Sequence, residues 1–183
     1  MLGFAAAADV ISAYLEELDP VQRPRFIAVD GLTAAGKTTF GEYLAAALGG
    51  LVFHTDDLAQ AGPELWDHAR FQRDVWTPLA DGRPARVTLQ HWTSQEPTGE
   101  AAIDPETRIV VVEGIHSLDR AVVTPWDGRV WVAVDEDVRL ERARARDGGA
   151  RWECWSQTWL PRELEYVRVQ EPQERADFIV HGA

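Results

Sequence analysis

The stretch from Phe26 to Leu48 constrains the fold of this 183-residue chain more than any other. Phe26-Ile27-Ala28-Val29 is a short apolar run without polar alternation, the pattern of a strand buried on both faces. It runs into Gly31-Leu32-Thr33-Ala34-Ala35-Gly36-Lys37-Thr38, a G-x-x-x-x-G-K-T motif. Residues 38–48, rich in alanine and leucine, then read as a helix closed by Gly49-Gly50. A glycine loop between strand and helix lets successive backbone N–H groups point at phosphate oxygens, and the helix N-terminus adds partial positive charge. A unit of this kind packs into a parallel sheet. Lys37 also stands out by composition, because it is the one lysine and the other seventeen basic residues are arginine.

The remaining apolar runs supply the rest of such a sheet. Leu51-Val52-Phe53, Ile109-Val110-Val111-Val112, Val130-Trp131-Val132-Ala133-Val134 and Phe178-Ile179-Val180 are strand candidates. Helical patterns fill 64–80, 137–147 and 152–170. Residues 4–18 place Val10, Ile11, Tyr14, Leu15 and Leu18 at helical spacing before Pro20 and Pro24 stop the helix. The run 93–107, made largely of Thr, Ser, Gly, Pro, Glu and Asp, reads as a loop. These patterns predict one α/β domain over 1–183, with residues 1–24 as an N-terminal helix and linker. Its core is a five-stranded parallel sheet with helices on both faces. Ligands in such sheets bind beyond the carboxyl ends of the strands, so chemistry is expected at 30–39, 55–57, 113–117 and 135–137.

Composition removes several classes. A net charge of −12 argues against sequence-independent binding of nucleic acid, which needs a basic face. No apolar run approaches the ~18 residues of a membrane span. An N-terminus carrying Asp9, Glu16 and Glu17 without a basic start does not read as a signal peptide. Cys154 is the single cysteine, so no internal disulfide forms, and no Cys/His spacing for zinc occurs. The motifs G-x-S-x-G, H-E-x-x-H and G-x-G-x-x-G are all absent. The expectation is a cytoplasmic protein acting on a small molecule, without nucleic-acid or membrane partners.

Four clusters carry candidate chemistry. Gly31, Thr33, Ala34, Ala35, Gly36, Lys37, Thr38 and Thr39 form the phosphate cradle, with Lys37 reaching the β- and γ-phosphates and the Thr38 hydroxyl on Mg²⁺. His54-Thr55-Asp56-Asp57 follows the second strand, where a carboxylate can orient a hydroxyl and accept its proton; an acidic pair also opens helices well. Glu113 ends a buried strand, as a Mg²⁺ carboxylate or a solvated strand end, and His116 just beyond it is a substrate ligand or a structural residue. Arg139, Arg142 and Arg146 share a helix face at i, i+3 and i+7, before Gly148-Gly149. That face is either a lid over phosphates or a solvated surface paired with Glu136, Asp137 and Glu141. Trp152, Trp155 and Trp159 repeat the same spacing as a packing stripe, a pocket lining or a dimer face, while Trp66, Trp76 and Trp92 fall in the segment placed to cover a substrate.

The combination resembles the uridine kinase family of phosphate-loop kinases, with its phosphoribulokinase and pantothenate kinase relatives. The matching residues are Ile27–Thr39, Asp56-Asp57-Leu58, Val112-Glu113-Gly114-Ile115, Asp135–Asp147 and Arg175-Ala176-Asp177-Phe178-Ile179-Val180. The resemblance implies a three-layer sandwich with sheet order 2-3-1-4-5, and Mg-ATP as phosphate donor. It implies Asp56 as catalytic base, with Asp57 as the fallback. Lys37, Arg142 and Arg146 would act on the transferred group within a lid of about 139–160. A segment of about 58–105 would cover a nucleoside-like acceptor. Uridine kinases usually carry Asp-x-Phe-Tyr, where this chain has Asp56-Asp57-Leu58-Ala59. Their Tyr-Asp-[Phe/Trp] element corresponds to Gln90-His91-Trp92. His91, Trp92, Asp57 and His116 are the acceptor-side candidates. Other acceptors (nucleotide, sugar acid, coenzyme precursor, antibiotic) and an ATP-binding regulatory protein without turnover remain alternatives. Relatives are often oligomeric, which admits a homo-oligomer here.

Overall fold

A computed structural model describes residues 2–60, 66–92 and 94–182. The chain opens with helix α1 (Phe4–Glu17), followed by strand β1 (Arg25–Asp30), helix α2 (Lys37–Leu48) and strand β2 (Leu51–His54). A 3₁₀ turn (Thr55–Leu58) leads to a helical stretch made of α3 (His68–Phe71), a π turn (Gln72–Trp76) and α4 (Thr77–Ala80). Strands β3 (Ala85–Gln90) and β4 (Pro97–Ile103) form a hairpin, and β5 (Ile109–Glu113) and β6 (Gly128–Ala133) return to the main sheet. Helices α5 (Glu136–Asp147), α6 (Gly149–Cys154) and α7 (Leu160–Gln170) precede β7 (Phe178–His181), with a second π turn at Trp155–Trp159.

The main sheet has five parallel strands in the order β2-β5-β1-β6-β7. Counted among themselves in chain order, these strands run 2-3-1-4-5. The period-2 geometry of the central strands explains why their sequences are apolar throughout. Ile27, Val29 and Val111 point into one core with α1 and α2, through Ala7, Ala8, Ile11, Phe40 and Leu44. Phe26, Val110 and Val112 point into the other, with Leu58, Trp66, Phe71, Val75 and Leu79 and with the hairpin residues Ala85, Val87 and Ile103. Each fully buried side chain of this size contributes about 1.5–3 kcal/mol. Among the described residues no helix is long and apolar enough to cross a membrane.

Three expectations are corrected. Residues 97–103 are strand β4 rather than part of a loop, pairing antiparallel with β3 from Ala85↔Ile103 to Gln90↔Pro97. Its outer half is exposed, so polar composition hides a strand whose stability comes from its partner. In α1 the buried face is Ala7, Ala8, Ile11 and Leu15, whereas Val10 is 44% exposed. Small alanines allow the helix to approach the core closely, which a search for large apolar residues overlooks. Finally, the helix expected at 152–170 begins at Gly149 and contains a π turn, which resets the periodicity of its tryptophans. The helical pattern at 64–80 is described from His68 onward, and residues 64 and 65 lie outside the described residues.

Candidate active site

The phosphate loop leaves β1 through a buried aspartate. Asp30 Oδ1 accepts from Gly31 N (2.7 Å), and Oδ2 accepts from Leu118 N (2.9 Å) and the Tyr166 hydroxyl (2.6 Å). Burial raises the Asp30 pKa, while these three donors and the nearby Lys37 charge act in the opposite direction. Gly31 has φ +153°, and a Cβ there would stand 2.6 Å from the Val132 carbonyl oxygen, so glycine is required. Ala34 (φ +61°) and Gly36 (φ +96°) carry the chain through left-handed geometry into α2. Alternation of this kind turns backbone N–H groups toward one concave face, suited to anions. Lys37 is largely buried and its Nζ donates to the Leu32 carbonyl oxygen at 3.1 Å, within the loop itself.

Glu113 stands at the carboxyl end of β5, beside the loop. Its Oε1 accepts from Thr38 Oγ1 (3.1 Å) and lies 2.6 Å from His54 Nδ1 at the end of β2. The hydrogen bond to Glu113 raises the His54 pKa against the effect of burial, with Asp56 and Asp57 adding to it. Gly41 of α2 sits over this carboxylate, since a Cβ there would approach Glu113 Cβ at 3.3 Å. The hydroxyl of Thr38 and the carboxylate of Glu113 are hard oxygen donors. They fit Mg²⁺, which takes one or two protein oxygens and keeps several waters. Among the described residues no cluster of three or more His, Cys, Asp or Glu could cage a metal on its own.

Asp56 and Asp57 fall in the 3₁₀ turn directly after β2. Asp56 is exposed to solvent at one side, yet enough protein surrounds its carboxyl that loss of hydration is the first cause raising its pKa. Glu113 and Asp57 add to that rise, and Lys37 and His54 oppose it. Asp57 is also raised, by burial first, and it interacts with His54 and Glu113. The Lys37 charge lowers the Asp56 pKa, which ties Asp56 to the phosphate loop.

The arginine face of α5 is not uniform. Arg139 is 2% exposed and turns under the helix to the loop, with Nη1 3.5 Å from the Thr33 carbonyl oxygen and 3.8 Å from Glu163 Oε2. Arg146 pairs with its neighbour Asp147 (2.8 Å), and that hydrogen bond is the first cause raising its pKa, followed at longer range by Glu163 and Asp56. Arg142 is half-buried, and among the described residues it makes no hydrogen bond or ion pair. The alternative of a face paired with Glu136, Asp137 and Glu141 is not what forms, because the buried partner of Arg139 comes from α7.

Among the acceptor-side candidates, His116 adopts φ +67°, sets Nδ1 3.2 Å from Asp119 Oδ2, and stacks its ring on Tyr166 at 3.9 Å. It braces α7 against the loop after β5. His91 and Trp92 stack on one another beyond the end of β3, where Trp92 is 49% exposed. Trp66 is buried, and its Nε1 donates to the His116 carbonyl oxygen at 3.3 Å. Leu58 and Ala59, which stand where uridine kinases usually carry an aromatic pair, are core residues, so that difference falls in the packing beneath the turn. Asp30 opens the stretch 30–39 where chemistry was expected, though without a role of its own, and Glu163 and Tyr166 are site residues that the sequence reading missed. Glu163, Tyr166 and Gln170 recur at i, i+3 and i+7 on α7, but only the fold shows that they bond Thr33, Asp30 and Asp119 at the carboxyl end of the sheet. A cleft of about 650 Å³ lies at the opposite end of the sheet beside Arg25 and Ile109, where Arg23 and Arg25 already pair with Asp127.

A five-stranded parallel sheet in this order, with a G-x-x-x-x-G-K-T loop after its central strand, is the three-layer fold of the phosphate-loop kinases. Solved structures share it over nearly the whole chain. A possible uridine kinase from Bacillus stearothermophilus superposes with a TM-score of 0.69 at 17% identity, covering 94% of this chain and 96% of that one. A proposed fructose transport system kinase from Silicibacter sp. TM1040 also gives 0.69, at 20% identity, covering 98% and 99%. The protein TT1252 from Thermus thermophilus gives 0.55 at 18% identity, covering 88% and 90%. No family model matches the chain.

Proposed function

We propose that this protein is an ATP-dependent kinase of the uridine kinase-like group, transferring the γ-phosphate to a hydroxyl of a nucleoside-like small molecule. The observation that carries this reading is the meeting of three strand ends. Thr38 opens α2 in contact with Glu113 at 3.1 Å, and Asp56 follows β2 within the fields of both Glu113 and Lys37. A phosphate cradle, an oxygen pair for Mg²⁺ and a carboxylate for an alcohol are the parts that phosphoryl transfer needs. A fold shared with a possible uridine kinase and a proposed fructose transport system kinase supports it.

Each residue then has a task. The N–H groups of residues 34–38 and the Lys37 ammonium hold the β- and γ-phosphates, and Lys37 exchanges its bond to Leu32 for them. Mg²⁺, when bound, neutralises charge on the phosphate oxygens, and Thr38 and Glu113 fix its place and its waters. Asp56 orients the acceptor hydroxyl and takes its proton, its raised pKa bringing it nearer to neutrality. Arg142 and Arg146 reach the transferring group when the lid closes, and Arg139 is already at the loop. The test is ADP release from Mg-ATP across a panel of alcohols, with uridine and cytidine first, then nucleotides and sugar acids. Acceptor-dependent release that disappears in Lys37→Ala supports the reading and identifies the acceptor class. Release at the same rate with and without every acceptor contradicts a kinase.

A further inference from the structure

Glu163 is a buried carboxylate on the helix that follows the lid arginines, and no step of the proposed chemistry uses it. It is 2% exposed, and both of its oxygens are committed to the phosphate loop. Oε2 accepts from Thr33 N at 2.9 Å, and Oε1 accepts from Thr33 Oγ1 at 2.5 Å and from Trp155 Nε1 at 3.1 Å. Arg139 closes the cluster, 3.8 Å from Oε2 and with its guanidinium 5.9 Å from the centre of the Trp155 ring. One donor in the cluster, Nη2 of Arg139, is buried without a partner.

These contacts join three elements at a single loop residue. Thr33 belongs to the phosphate loop, Arg139 to the first turn of α5, and Trp155 and Glu163 to the far side of the proposed lid. Both roots of that lid are therefore tied to the rim of the cradle. The stretch between them carries Arg142, Arg146 and the Gly148-Gly149 pair, whose φ values are +50° and +48° and which has open space around both positions. We infer that Glu163 is a positioning residue that couples occupancy of the phosphate loop to closure of residues 140–154. Thr33 is the link: when the loop tightens on a phosphate, its N–H and hydroxyl carry the movement to Glu163, which holds Arg139 and Trp155. A carboxylate suits this role because it accepts from two loop donors at once while balancing the arginine. This inference rests on the phosphate-loop reading, and its test separates the two.

The experiment is amide hydrogen exchange on the full chain, with and without saturating Mg-ATP, together with calorimetric binding of the nucleotide. Without nucleotide, Glu163→Gln is expected to speed exchange at Thr33 by about tenfold or more, because the charged acceptor is gone. With nucleotide, the natural protein is expected to slow exchange across 140–154, whereas Glu163→Gln still binds Mg-ATP and loses most of that protection. Thr33→Val, which removes only the hydroxyl bond, should lose part of the protection and provides the same readout if Glu163→Gln does not fold. Equal protection in the natural protein and both variants at saturation overturns the coupling, as does nucleotide binding to the natural protein with no protection of 140–154. Failure of the natural protein to bind Mg-ATP overturns the phosphate-loop reading itself.

Discussion

Replacing Tyr166 by phenylalanine removes one oxygen and leaves the ring that stacks on His116 at 3.9 Å. The lost hydroxyl donates to Asp30 Oδ2 at 2.6 Å, at a site with no solvent contact. A hydrogen bond to a charged group contributes about 1.5–3 kcal/mol. At this chain length each kcal/mol moves the melting temperature by about 2–4 °C, so Tyr166→Phe should lower it by roughly 3–12 °C at neutral pH. The deficit should also depend on pH. Because burial raises the Asp30 pKa above its ordinary 3.8, ionising it opposes folding. That penalty is absent below the unfolded value and grows as pH rises through the folded one. Removing a donor that lowers the pKa raises it further, so the variant's deficit is largest at neutral pH. It shrinks near pH 4, where only a neutral bond worth about 0.5–1.5 kcal/mol is lost. Lys37 faces Asp30, while Asp119, Arg175 and His116 face Tyr166; they are common to both proteins and largely cancel in the difference. Urea unfolding of both proteins at pH 7.5 and pH 4 measures it. A deficit equal at the two pH values, or none at pH 7.5, refutes the argument that Tyr166 stabilises an ionised Asp30.

Three further outcomes follow from the geometry. Gly114 has φ +152°, and a Cβ there would stand 1.7 Å from Thr55 Oγ1, so Gly114→Ala should cost about 2–4 kcal/mol in chemical denaturation. Gly99→Ala, with nothing within 4 Å, should stay within about 0.5 kcal/mol. Asp56→Asn should lower kcat by roughly 10²- to 10⁴-fold while Mg-ATP affinity holds, and unchanged turnover would remove Asp56 from the reaction.

How much of this could be read from the sequence follows from how locally each feature is determined. The strand–loop–helix unit at 26–48 and the other four parallel strands are continuous apolar runs, so burial on both faces wrote them plainly. The places of Glu113 and Asp56 at strand ends were legible because Glu113 directly follows one such run and Asp56 comes just after the strand built on another. The hairpin was not read: Ala85, Val87 and Leu89 alternate over too short a run to stand out, and Pro97, Thr98, Gly99 and Glu100 are exposed and owe their strand geometry to β3. Glu163 was hidden for a different reason. A glutamate in a helix with Arg162, Glu165 and Arg168 around it reads as solvated, and only the tertiary fold brings Thr33 to it across 130 positions. Arg139 was masked similarly, since the i, i+3, i+7 spacing assigns one face to three arginines but not which of them is buried.

The central claim is that residues 31–38 bind a magnesium nucleotide, and direct calorimetric titration with Mg-ATP tests it most simply, using Lys37→Ala as the comparison. Saturable binding is predicted for the natural protein. At about 100 times its Kd, ATP should add about 2.7 kcal/mol of stability, several degrees of melting temperature at this size. Lys37→Ala should fold and bind far more weakly. No heat of binding and no melting shift in the natural protein, at millimolar Mg-ATP, would contradict the account at its base.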